Sequence, residues 1–213
     1  MFIVGVFSRK GGTGKTTLTV HLAVAAMLKG FKTLIIDLDT QASAAKWHDI
    51  RSEDDLTVIS AHATRLKQVL HTAEQHGADF VIIDTSAKTG DDAEAAAEVS
   101  DLALIPCRPD LFDLQAISLT VKVANNAHLP AHIVFNCADP RSIMFNNAKQ
   151  SVEIYDAKCA PCIIGNYVHF KYPLVDGRTA QEYHPNSKAT SQLNTLFKYL
   201  LKELKEVHRE QAA

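Results

Sequence analysis

The sequence contains no apolar run approaching the ~20 residues that a membrane-spanning helix requires. It also has no internal repeat, no low-complexity tract and no evident linker. Its 213 residues are therefore read as one domain with one sizeable core. The opening MFIVGVF is too short for the core of a secretory signal and runs straight into a glycine-rich loop. A cytoplasmic location is expected, where the four cysteines read as thiols rather than disulfides. Net charge is scarce too. Its formal value of -2 gives no global attraction to nucleic acid or to an anionic membrane. The balance is uneven, at +3 over residues 1–50, -6 over 51–150 and +1 over 151–213. A polyanion-binding surface would thus be a local patch built from the two ends of the chain.

What is present is alternation. Short apolar, β-branched runs at 2–7, 33–37, 56–59, 80–84, 102–106 and 132–136 read as buried parallel strands. Helical patterns follow at 15–29, 42–49, 65–76, 92–99, 114–126 and 146–157, with Gly30 and Gly77 placed to stop two of them. A last amphipathic helix is expected over 187–208, with Leu193, Leu196, Phe197, Leu200, Leu201 and Leu204 on one face. This order predicts a doubly wound α/β fold, a mostly parallel sheet flanked by helices. Ligands of such folds sit at the carboxyl ends of the strands. Four informative clusters fall there, at 9–17, 37–43, 84–92 and 136–141.

The first cluster, SRKGGTGKTT, ends like the phosphate-binding pattern G-x-x-x-x-G-K-[ST]. Arg9, however, stands where the first glycine belongs, and a second lysine, Lys10, follows it. Gly11, Gly12 and Gly14, with Thr13 among them, let the backbone curl so that its N–H groups face inward onto phosphate oxygens. Lys15, Thr16 and Thr17 open a helix whose positive end attracts an anion. The pattern predicts Lys15 bridging the β- and γ-phosphates and the Thr16 hydroxyl on Mg²⁺, as in P-loop NTPases. FVIIDTS ends a strand with Asp84, an acid placed to orient Mg²⁺, although a helix cap would use the same residue types. LIIDLDTQAS brings Asp37 and Asp39 to one side of a strand, where a carboxylate could position an attacking water.

Together KGGTGKTT, DLDTQAS and VIIDTS resemble the ParA family of deviant Walker-A ATPases. LIPCRPDLFDLQAI, IVFNCADPR and GRTAQEYHPNSKATSQL extend the resemblance over essentially the whole chain. The early motif resembles the short form of the family, a single ATPase domain over 1–213 without an N-terminal DNA-reading domain. The resemblance implies ATP and Mg²⁺ as cofactors and an ATP-dependent homodimer. In it Lys10 would be the signature lysine, crossing the interface to the partner's ATP, where a second cation offsets developing charge. Asp39 would position the hydrolytic water, Asp37 would support the Mg²⁺ shell, Asp84 would be the Walker-B acid, and Asn136 would contact adenine. It further implies non-specific DNA binding on the nucleoid. A small DNA-binding adaptor, ParB-like or a ribbon-helix-helix centromere-binding protein, would stimulate hydrolysis and release. Lys171, Arg178, Lys188, Lys198, Lys202 and Lys205 are the candidate DNA cations. Pro106, Arg108, Pro109, Asp110 and Asp113 fall where the family makes dimer and partner contacts. Two departures bear on the switch loops: Ser86-Ala87 follows Asp84-Thr85 where the family commonly has proline, and Thr40 replaces another.

Two other readings share these motifs. A MinD-like membrane-positioning ATPase would use LNTLFKYLLKELKEVHREQ as a lipid-binding helix. That stripe continues a core helix, and the tail HREQAA has no aromatic anchor, so membrane binding is not expected. An iron–sulfur carrier would use Cys159 and Cys162, a C-x-x-C. A whole helix separates that pair from Asn136, and two buried thiols near a strand are expected instead. Trp47 is expected to pack. The ten histidines include no H-E-x-x-H, so no metal beyond Mg²⁺ is expected.

Overall fold

Strands as uniformly apolar as these can be buried only if both faces of their sheet are covered. The computed structural model describes residues 1–87 and 90–212. Among the described residues the order is β1 (Phe2–Val6), α1 (Lys15–Met27), β2 (Thr33–Asp37), α2 (Ser43–Asp49), β3 (Thr57–Ser60), α3 (Leu66–Gln75), β4 (Phe80–Asp84) and α4 (Gly90–Ala97). There follow β5 (Leu102–Cys107), α5 (Leu111–Asn126), β6 (Ala131–Asn136), α6 (Ile143–Val152), β7 (Lys158–Ile164), α7 (Ala180–Tyr183) and α8 (Lys188–Gln211). The strands form one sheet in the order β3-β2-β4-β1-β5-β6-β7, with every pairing parallel. The doubly wound α/β expectation holds.

This order positions the site. The chain runs outward from β1 to β2 and β3, returns to β4, then crosses β1 to begin the other half at β5. The reversal leaves a crevice at the carboxyl end of β1. Register delivers the acids to the same end, since Asp84 lies opposite both Val6 and Asp37.

Alternation along each strand feeds two cores. Ile35 and Ile82 join Leu22 of α1 and Leu196 and Leu200 of α8 on one face. Ile36, Ile83 and Ile105 join Leu70 of α3 and Ile117 of α5 on the other. Trp47 is buried with the first group, as expected. Gly30 and Gly77 take positive φ just past α1 and α3, where L side chains are disfavoured.

Three differences from the expected elements have local causes. Strand β7 was not expected. Pro161 interrupts its pattern, it lies at the sheet edge, and its register against β6 shifts; edge positions and bulges are where a strand tolerates proline. Helix α5 starts at Leu111 rather than 114 because the Asp110 carboxylate accepts the Asp113 N–H at 3.0 Å. Helix α6 covers Ile143–Val152 rather than 146–157, capped by the Ser142 hydroxyl, which accepts the Phe145 N–H at 3.1 Å.

Candidate nucleotide site

The loop between β1 and α1 has Gly12 and Gly14 at φ 77° and 96°. Gly14 is constrained twice, because a Cβ there would also collide with the Asn136 carboxamide nitrogen. That nitrogen donates to the Thr13 carbonyl at 2.6 Å, while the Asn136 side-chain oxygen accepts the Cys137 N–H at 2.9 Å. Asn136, at the end of β6, therefore clamps the loop. Both halves of its carboxamide, expected against adenine, are engaged inside the chain.

A cavity of about 410 Å³ opens over the loop, lined there by Gly11, Gly12, Gly14, Lys15, Thr16 and Thr17. Asp39 also lines it, and its carboxylate accepts the Gln41 N–H at 2.9 Å. Lys15 is only 8% exposed. Burial lowers its pKa, and the nearby Asp84 and Asp39 charges oppose that shift. An anion in the cavity would supply the counter-charge that burial withholds.

Lys10 faces elsewhere. Its ammonium sits 5.3 Å from the centroid of the Phe112 ring, a cation–π distance, and Phe112 is itself 66% exposed. The two lysines of one loop thus diverge, Lys15 into the cavity and Lys10 onto the surface.

Thr16 donates its hydroxyl to Asp84 Oδ2 at 2.6 Å. Asp84 is fully buried, and desolvation pushes its pKa up to about 7. The Thr16 bond and Lys15 oppose the rise, while Asp37 and Asp39 add to it. Its Oδ1 has no partner among the described residues. A buried carboxylate with one idle oxygen, beside a hydroxyl and below a phosphate loop, suits a hard cation. Mg²⁺ takes few protein oxygens and keeps several waters. Asp37 is employed differently. Its Oδ1 accepts the Asp39 N–H at 3.0 Å, and its Oδ2 accepts those of Ala44 at 2.9 Å and Ala45 at 3.2 Å. It fixes the start of α2 and the loop that carries Asp39. Of the expected 84–92 cluster, residues 88 and 89 lie outside the described residues.

Cys159 and Cys162 pack on opposite faces of the sheet. Three residues apart on β7, Cys159 packs against the core under α5 and α6, and Cys162 against that under α1 and α8. Both are half-buried rather than buried, and both are free. Burial raises both thiol pKa values, Cys162 to about 11. No group of three metal-ligating side chains occurs among the described residues.

A family model described as the CobQ/CobB/MinD/ParA nucleotide binding domain matches residues 4–169. The chain belongs to that family. Among its relatives, the maintenance of carboxysome distribution protein A of Gloeobacter kilaueensis is 32% identical over 146 residues, 66% of this chain and 65% of that protein. The chain thus matches just under two thirds of that relative's length. Protein ParA of Rhizobium radiobacter is 30% identical over 53% of this chain and 51% of that protein. The septum site-determining protein MinD of Pyrococcus horikoshii, solved with Mg-ADP, superposes with a TM-score of 0.78 at 20% identity, over 93% of this chain and 95% of that one.

In this CobQ/CobB/MinD/ParA member the segment after β7 adds Tyr167, Phe170 and Lys171 to the cavity wall. Sequence reasoning missed the first two and offered Lys171 for DNA, because β7 itself went unread. Once that strand is recognised, GNYVHFK becomes another carboxyl-end loop, and its aromatic residues become candidates. Arg108, expected at an interface, also lines the cavity. Its position directly after β5 was the available signal.

Proposed function

We propose that the chain is an Mg²⁺-dependent ATPase that forms an ATP-bridged homodimer, binds DNA without sequence preference and positions a cargo such as a plasmid. The support is the divergence of Lys10 and Lys15 within one loop. A lysine held on the surface beside the cavity mouth is available to a second copy, whereas Lys15 serves its own nucleotide. In this reading Lys15 and the N–H groups of residues 11–17 bind the phosphates, and adenine lies toward Asn136, Tyr167 and Phe170. Thr16 and Asp84 hold Mg²⁺, which when bound neutralises charge on the phosphates. Asp37 contributes by fixing α2, and Asp39 orients the attacking water. Lys10 of each subunit approaches the triphosphate of the other, so ATP stabilises the dimer by mass action.

DNA contact falls to exposed cations of the C-terminal third, among them Lys188, Lys198, Lys202 and Lys205. Phosphate contacts of this type weaken steeply with salt. A DNA-binding adaptor, ParB-like or of ribbon-helix-helix type, would trigger hydrolysis. Similarity to ParA favours plasmid partition on the nucleoid in the cytoplasm, and similarity to a carboxysome-distribution protein favours a protein assembly as cargo. Co-sedimentation with DNA and with anionic liposomes, each with ATP, ADP or no nucleotide, tests the proposal. ATP-dependent capture by DNA alone is expected; capture by liposomes alone would replace this reading with a membrane-positioning one. Lys10→Ala should bind nucleotide but remain monomeric with ATP, and an ATP dimer of that variant removes the trans role.

A further inference from the structure

Within one subunit Lys10 leaves the loop for Phe112, so it does not serve the glycine end of its own cavity. Arg108 supplies a cation there. It is exposed and lines the cavity together with Gly11 and Gly12. Its Nη2 lies 3.7 Å from where a Cβ on Gly12 would stand. Among the described residues its guanidinium makes no hydrogen bond or ion pair. Asp110 and Asp113, at the start of α5, are near enough to feel its charge without bonding it. A planar group with five donors, permanently charged and free at the edge of a phosphate loop, matches two oxygens of a terminal phosphate.

We propose that Arg108 is a specificity-determining residue that contacts the terminal phosphate of ATP bound in its own subunit and so distinguishes triphosphate from diphosphate before dimerisation. The inference rests on the nucleotide-binding reading above but not on the trans role of Lys10. Attraction to Asp110 and Asp113 keeps the guanidinium near the loop when no nucleotide is present. A γ-phosphate draws it from them; ADP ends one group short.

The test measures affinity for Mg²⁺ with ADP, and for Mg²⁺ with a non-hydrolysable ATP analogue, in Lys10→Ala protein carrying Arg108, R108A or R108K. The Lys10→Ala background keeps dimerisation from inflating the ATP value. R108A should weaken the ATP analogue about tenfold or more, as expected for a lost charge-assisted bond, with ADP affinity within about twofold. R108K should fall between. Equal loss for both nucleotides would make Arg108 a structural residue, and no loss would leave it a solvated side chain; either overturns the proposal. If the Arg108-containing parent binds neither nucleotide, the nucleotide site itself is wrong and this inference goes with it. A parent that binds ADP and the analogue equally well overturns Arg108 alone. Should Lys10→Ala still dimerise with ATP, the trans-lysine reading fails, and the loss on R108A at protein concentrations below dimerisation decides Arg108 separately.

Discussion

Arg51 and Asp84 are both ionisable groups taken out of water, and their surroundings differ. The Arg51 side chain, 1% exposed, follows α2 and donates to both Asp55 oxygens at 2.9 and 2.8 Å, to Glu182 at 2.6 Å and to the Gly177 carbonyl at 2.8 Å. Gly177 cannot carry a side chain there, since its Cβ would strike the Arg51 backbone. Asp84, at the end of β4, has one hydroxyl on one oxygen and nothing on the other among the described residues. Desolvation pushes its pKa up to about 7 against the lowering effect of that single hydrogen bond. A buried ion with matched partners ties elements together. One left half-matched has an oxygen open to the cation proposed above.

The contrast breaks most visibly at the phosphate loop. Lys15→Ala should lower ATP and ADP affinity by roughly a hundredfold, the value of about 3 kcal/mol for a bond to a charged group, while thermal unfolding stays near that of the parent. Calorimetric titration measures this, and retained affinity would take the loop out of the nucleotide site. Next in size, Arg51→Met should cost about 3 kcal/mol in urea unfolding, because it strands a carboxylate that is largely buried. Nucleotide affinity per folded molecule should hold. A loss below ~1 kcal/mol would mean that the network only decorates the surface.

The smallest and sharpest effect belongs to Asp84→Asn, which removes charge at nearly constant shape. The apo protein should keep or gain stability, yet nucleotide affinity should cease to respond to Mg²⁺. The pH dependence carries a definite sign. An unfolded aspartate loses its proton near 3.8, whereas folded Asp84 keeps its own to about 7. The folded chain therefore binds the extra proton between those values, and its stability falls as pH rises across the interval. Mg²⁺ must displace that proton, so its affinity should rise with pH through 7. Denaturation and Mg²⁺ titrations from pH 5 to 8 check both slopes. Asp84→Asn should flatten them; unchanged slopes in the variant would assign the proton to another group.

Much of this arrangement is legible in the chain's letters. Glycines spaced around Lys10, Lys15 and Thr16 after an apolar strand announce a phosphate loop, because few other structures need that composition. Acids closing two further strands place Asp37, Asp39 and Asp84 at the same end. Part of what stays illegible depends on neighbours distant in sequence. Asn136 meets Thr13 only because β6 ends beside the loop, and no local pattern reports that contact. Asp37 reads as support for Mg²⁺ from its position, and its further task of accepting backbone N–H groups two to eight residues later is set by the path of the following loop. Strand β7 hides behind Pro161, an irregularity that an edge position tolerates and that periodicity cannot anticipate.

Helix α8 sets a limit on how the molecule can hold anything outside itself. Leu193, Leu196, Leu200 and Leu204 are at most 1% exposed, each contributing about 1.5–3 kcal/mol where it lies. A bilayer could claim that row only by prising the helix from the sheet and dismantling half of the interior. What faces outward includes Lys188, Lys198, Lys202 and Lys205 on flexible stems, whose reach in physiological saline ends within ~8 Å. A phosphate contact of the kind proposed for those lysines would therefore loosen as the surrounding electrolyte thickens.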